Sequence, residues 1–240
     1  MKKQIPCVVI IPDQHNDSST RYPVVYLLHG YSGNYAQWIN HAPQLKTVAD
    51  QLRMIFVCPD GGYGSWYLDS PVDTTFKYET FLVKELVPFI DSNYKTIANR
   101  KQRAITGLSM GGHGGLYISI RNKKLFGLAG SICGGVDIRP FPKNWDLAKR
   151  LGDTVCCKQN WEQYTVMNVV NQLKNNELKL IIDCGLGDFF LDVNRALHQK
   201  LLQMKIDHDY IERPGKHDKA YWGNAVNYQL LFFWKGFRGS

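Results

Sequence analysis

No run of apolar residues in this 240-residue chain approaches the roughly 18 that a membrane-spanning helix requires. The segment after Met1 has no apolar core with a cleavage site, so no secretory leader is recognised. That leaves a cytoplasmic protein, or a trimmed form of a secreted or periplasmic one. Six cysteines are present but no C-x-x-C pair, which removes the common zinc and dithiol-redox patterns. Cys58, Cys133 and Cys184 each follow an apolar run and read as free buried thiols. Neither G-x-G-x-x-G nor a G-K-[ST] ending occurs, so the phosphate-cradling turns of nucleotide-binding folds are missing. Acidic residues are in the minority, 21 against 29 lysines and arginines, for a net charge of +8. The basic residues are scattered, with Arg100, Lys101 and Arg103 the densest group. No recognition motif accompanies them, and nucleic acid is excluded as a partner.

What is there is an alternation. Strand-like runs span 6–11, 23–28, 54–57, 103–106, 127–132, 178–182 and 209–211, several of them continuous Val/Ile/Leu blocks. Such blocks suit parallel strands covered on both faces. Between them lie segments of helical period. Phe190, Val193, Leu197 and Leu201 share one face, as do Trp222, Val226, Leu230, Phe233 and Phe237. Tyr78, Leu82, Leu86 and Phe89 do the same, with Pro88 as a kink. The fold class is therefore α/β, a mostly parallel central sheet flanked by helices, over a single domain from 1 to 240. The Pro-, Gly- and Trp-rich stretch 134–160 reads as an insertion over one edge of that sheet.

One short segment carries chemistry. In "AITGLSMGGHGGLYISI" a strand-like run enters Gly107-Leu108-Ser109-Met110-Gly111 and leaves as a helix. A serine there sits on a sharp turn above the carboxyl edge of the sheet, with glycines two before and two after it relieving the crowding. Ser109 is thus the candidate nucleophile, and it needs a base held by an orienting acid. In this arrangement the chain order is Ser, acid, His. His15, His29, His41, His113 and His198 fall before the turn, on its helix or within another helix, and read as structural or exposed. His208 opens the last strand at the wrong end. His217, just past that strand in "RPGKHDKAYW", is the base. For the acid, Asp188 in the loop after the sixth strand is preferred to Asp183, which ends the strand, and to Asp192 on the next helix. Asp188 also suits the N-cap of that helix. An oxyanion hole combines the Met110 N–H with that of Tyr31, which follows His29-Gly30 after the second strand.

Together "LLHGYSGN", "GLSMGGHGG", "CGLGDFF" and "PGKHDKAYW", with "RYPVVYLLHG" and "DGGYGSWYLD", resemble the putative esterase (esterase D-like) family of α/β-hydrolases over about Ile5 to Phe233. That family includes tributyrin, feruloyl and acetyl-xylan esterases, S-formylglutathione hydrolases and antigen 85 mycolyltransferases. The resemblance implies Ser109, Asp188 and His217 as the triad and the N–H groups of Tyr31 and Met110 as the oxyanion hole. It implies a serine esterase acting on short-chain acyl, acylated-carbohydrate or hydroxycinnamoyl esters. An acyltransferase with the same triad and a non-catalytic carbohydrate-binding relative are the alternatives. The histidine segment is closer to the feruloyl, acetyl-xylan and tributyrin esterases than to the S-formylglutathione hydrolases. Met1 stands close to the first strand, so the family's usual N-terminal β-structure is expected to be short or missing. Trp66 and Tyr67 are expected to border the substrate pocket and stack on a sugar or aromatic group, with core packing the competing role. The chemistry calls for no metal or organic cofactor; the partner is a small-molecule or carbohydrate ester, and the sequence leaves room for a homo-oligomer.

Overall fold

The computed structural model describes every residue except Lys2, Asp17, Ser18 and Ser240. Seven strands form one sheet: β1 (Cys7–Ile10), β2 (Val24–Leu28), β3 (Ile55–Pro59), β4 (Arg103–Gly107), β5 (Leu128–Ile132), β6 (Lys179–Gly185) and β7 (Asp209–Arg213). Their order is β1-β3-β2-β4-β5-β6-β7, with β1 antiparallel to β3 and every other pair parallel. Every residue of β2, β3, β4 and β5 is buried, as the unbroken apolar runs require.

Successive side chains on each strand serve opposite faces. Tyr26 and Leu28 enter one core layer with Leu116, Phe126, Phe190 and Leu197. Val25 and Leu27 enter the other with Trp38, Leu45, Val226, Leu230 and Phe233. The second layer is covered by α1 (Gln37–His41), α2 (Leu45–Leu52) and α10 (Lys219–Phe237). The first lies under α3 (Tyr78–Thr80), α4 (Val87–Asn93), α5 (Met110–Arg121), α6 (Leu147–Leu151), α7 (Lys158–Gln163), α8 (Val166–Val169) and α9 (Leu191–Gln203). Among the described residues, no helix is long and apolar enough to cross a membrane.

Two expectations about elements change. A π-helical turn, Phe81–Leu86, joins α3 to α4. The wider turn shifts the apolar face, so Ile90 completes the buried set with Tyr78, Leu82 and Leu86, and Phe89 is exposed. The helix also continues through Pro88, which lies at the start of α4. The stretch 134–160 joins β5 to β6, neighbours inside the sheet, and does not run along an edge strand. It packs across the carboxyl ends instead. Trp145 lies against Phe189 and Phe190, Asp146 accepts a hydrogen bond from Tyr31, and Arg150 pairs with Asp73.

Candidate active site

Ser109 joins β4 to α5 with φ 57° and ψ −117°, a conformation that side chains other than glycine rarely adopt. Its backbone is clamped there. The Ser109 N–H donates to Ile132 O (2.9 Å), and its carbonyl accepts from the N–H groups of His113 (3.1 Å) and Gly135 (3.3 Å). The flanking glycines are obligatory for reasons of space. A Cβ on Gly107 would stand 2.6 Å from the Gly111 carbonyl and from Leu28 O, and one on Gly111 would run into Leu28 O. The turn is therefore pressed onto the end of β2, and Ser109 remains just accessible at 8%.

His217 reaches it from the loop between β7 and α10. Its Nε2 lies 2.9 Å from Ser109 Oγ, and its Nδ1 lies 2.7 Å from Asp188 Oδ2. An ionised carboxylate only accepts, so Nδ1 carries the proton and Nε2 faces the serine. Asp188 is buried in the turn before α9, where its other oxygen accepts the Phe190 N–H at 2.8 Å. That turn bond and the histidine contact use different oxygens. The N-cap position of α9 expected for Asp188 falls instead on Phe190, and no side chain caps it, because Asp188 stands two residues too early and closes the preceding turn. Burial alone would push the His217 pKa down. The hydrogen bond to Asp188, helped by the neighbouring Cys133 thiol, outweighs it and raises the pKa from 6.5 to about 9. Phe189 (centroids 4.2 Å apart), Phe190 (5.6 Å) and Trp222 (5.0 Å) pack around the imidazole and fix its plane.

Asp183 does not end its strand, since β6 pairs with β7 as far as Gly185, and it has a different task. Fully buried, it accepts from Arg213 Nη2 and Tyr221 Oη, both at 2.5 Å. Arg213 ends β7 and Tyr221 lies in the first turn of α10, so the contact pins both sides of the 214–218 loop that carries His217.

The loop after β2 passes directly beside the serine, since a Cβ on Gly30 would lie 3.5 Å from Ser109 Cβ. It is tied down on all sides. Gly30 N–H donates to Gln37 Oε1 (2.7 Å), His29 Nδ1 meets Gly30 O (2.7 Å), and His29 Nε2 accepts the Gly61 N–H (2.6 Å). These contacts define a neutral ring with its proton on Nδ1, in keeping with the downward pKa shift that burial imposes on His29. Among the described residues, no carbonyl or side chain takes up the N–H of Tyr31 or of Met110. Two unpartnered N–H groups therefore adjoin Ser109 in the chain or in space: that of Met110, the next residue and the first of α5, and that of Tyr31, which follows the close-lying Gly30.

Trp66 and Tyr67 do not border an open pocket. They are 1% and 0% exposed, both at positive φ, and they act as struts. Tyr67 Oη donates to His29 O (3.1 Å), and Trp66 Nε1 donates to Trp145 O (3.0 Å). The accessible aromatics are others. Phe189 is 53% exposed between His217 and Trp145, and Tyr63 is 61% exposed against Tyr31. Phe189 lies off the apolar face that Phe190, Val193, Leu197 and Leu201 define, and that was the available signal. Tyr63 and Trp145 carried none.

The one grouping of metal-type ligands among the described residues is Cys133, Cys184 and Asp188, with ligand atoms within 4.8 Å of one another. Both Asp188 oxygens are already engaged, and burial pushes the Cys133 thiol well above its ordinary range. A metal would have to dismantle the histidine contact, so the grouping does not fit a resident ion.

A family model described as "Putative esterase" matches residues 1–233. "Esterase Rv1288" of Mycobacterium tuberculosis is 28% identical over 235 residues, covering 87% of this chain and 51% of that protein. The chain thus spans about half the length of that relative. "Acetyl esterase" of Caldicellulosiruptor saccharolyticus is 26% identical, covering 94% and 91%. A solved "ferulic acid esterase" superposes with a TM-score of 0.82 at 28% identity, covering 96% of this chain and 92% of that one. The architecture shared with such neighbours is the α/β-hydrolase fold.

Proposed function

The chain belongs to the Esterase family, and on that premise we propose that it is a serine carboxylic-ester hydrolase, one catalytic domain working through an acyl-enzyme. The observation that carries the reading is the unbroken line Ser109 Oγ–His217 Nε2–His217 Nδ1–Asp188 Oδ2, with contacts of 2.9 and 2.7 Å. Neutral His217 takes the hydroxyl proton as Ser109 attacks the ester carbonyl, and Asp188 holds the tautomer and stabilises the imidazolium. The free N–H groups of Tyr31 and Met110 receive the oxyanion, each such donor being worth roughly 3 kcal/mol. His217 then protonates the departing alcohol, and water releases the acyl group with the same base.

For substrate, the reading is a short-chain acyl, acylated-carbohydrate or hydroxycinnamoyl ester. Exposed Phe189 and Tyr63, with Trp145 behind the former, offer flat apolar surfaces on which a sugar or aromatic ring stacks. A panel of acetyl, butyryl, feruloyl and formyl-thiol esters tests this. Feruloyl or acetyl turnover supports it, and turnover of the formyl thioester alone refutes it. Excess acceptor alcohol in the same assay separates hydrolysis from acyl transfer. Fluorophosphonate labelling at Ser109 separates both from a merely carbohydrate-binding pocket.

A further inference from the structure

Six thiols divide sharply by environment. Cys58, Cys133 and Cys184 are buried, and burial raises the Cys7 thiol to about 12. Cys156 is exposed and Cys157 half-exposed, and their sulfurs lie 2.9 Å apart. The turn that carries them is fixed by Asp153, whose carbonyl accepts the Cys157 N–H (2.9 Å) and the Cys156 thiol (3.7 Å) and whose side chain accepts the Val155 N–H (2.7 Å). Two reduced thiols are thus held converging on one side of a surface turn. Beside them, Val155 is 89% exposed and offers an apolar face.

Two adjacent converging thiols suit an acceptor that both sulfurs can reach at once. A linear two-coordinate cation holds its sulfurs about two metal–sulfur bonds apart, ~4.6 Å, far wider than this pair. A pyramidal centre with an angle near 90° and bonds of similar length holds them ~3.3 Å apart, within a small opening of the observed spacing. Tetrahedral zinc needs two further ligands, and no cluster of three metal-type ligands is found at this turn among the described residues. We propose that Cys156 and Cys157 form a vicinal dithiol site for trivalent organoarsenicals, with the organic substituent lying against Val155. An arsenoxide, R–As=O, takes both sulfurs as R–As(S)₂. Two As–S bonds form, the As=O bond is lost, and the two thiol protons leave with the oxygen as water. Arsenic stays trivalent and no oxidant is consumed.

The test is titration of the reduced full chain with phenylarsine oxide, followed by intact mass and by free-thiol count. The expected result is one arsenical per chain, two thiols blocked, and peptide mapping to the 153–157 turn. Excess monothiol should leave the adduct in place and 2,3-dimercaptopropanol should remove it. Cys156→Ser and Cys157→Ser, checked for native circular dichroism, should each bind at least tenfold more weakly. Full affinity in either variant overturns the proposal, as does release by monothiol or mapping of the blocked thiols to Cys133 and Cys184.

Discussion

Ser109 occupies a backbone conformation that costs roughly 1–3 kcal/mol and survives only because its surroundings impose it. The strain places Oγ where one imidazole nitrogen can reach it, and the proposed mechanism gives three side chains distinct duties. Asp188→Asn keeps the shape but accepts where the carboxylate did with half the capacity and no charge. It should lower kcat about 10⁴-fold, the scale known for this role in a serine protease triad, while KM stays near wild type. Steady-state kinetics on a nitrophenyl ester measures both. The His217 pKa of about 9 makes a second prediction, because only the neutral ring is a base. The kcat/KM should climb with pH through the neutral range, reach half its maximum at about 9 and level off above that. In Asp188→Asn the midpoint of whatever activity remains should move to lower pH, because only the Cys133 contact then opposes burial. An unmoved midpoint would mean that Asp188 does not set the titration.

At the scale of elements, the turn between β4 and α5 depends on the close approach of β2. Gly111→Ala should destabilise the fold by roughly 3 kcal/mol, because the added methyl meets a backbone carbonyl that cannot move aside. Urea denaturation of the Ser109→Ala and Gly111→Ala proteins should separate them, the first staying close to wild type. The seven strands were legible in the sequence because strands buried on both faces leave unbroken apolar runs. The order of Ser109, Asp188 and His217 was legible for a related reason: each follows a recognisable strand. Loop aromatics were not. Trp66 and Tyr67 are buried by contacts with residues 38 to 79 positions away, and no local period records those partners. Phe89 was misplaced because a π turn adds a residue to the repeat without any mark such as proline or glycine inside Phe81–Leu86. Tyr67→Phe should leave the fold intact but loosen the His29 carbonyl. Its expected effect is a fall of severalfold in kcat with little change in KM, read in the same ester assay.

At the scale of the whole molecule, the strand order places the ends of β2, β4, β6 and β7 along one edge of the sheet. Loops from those four ends supply Tyr31, Ser109, Asp188 and His217, the usual location of a site in an open parallel sheet. Holding His217 protonated also couples the site to folding. Its pKa is raised in the folded chain, so the stabilisation is fully present below 6.5 and is lost as pH rises through about 9. Thermal unfolding across that window should show wild type losing stability relative to a His217→Gln variant, while activity climbs. The site would then gain its base at the expense of the fold that holds it.

The most direct test of the central claim is rapid acid quench of wild-type protein during turnover of a nitrophenyl ester, followed by peptide mass analysis. Wild type should carry an acyl group on Ser109, and Ser109→Ala should show neither adduct nor turnover. Turnover that survives in Ser109→Ala, or an acyl group carried by another residue, would contradict it.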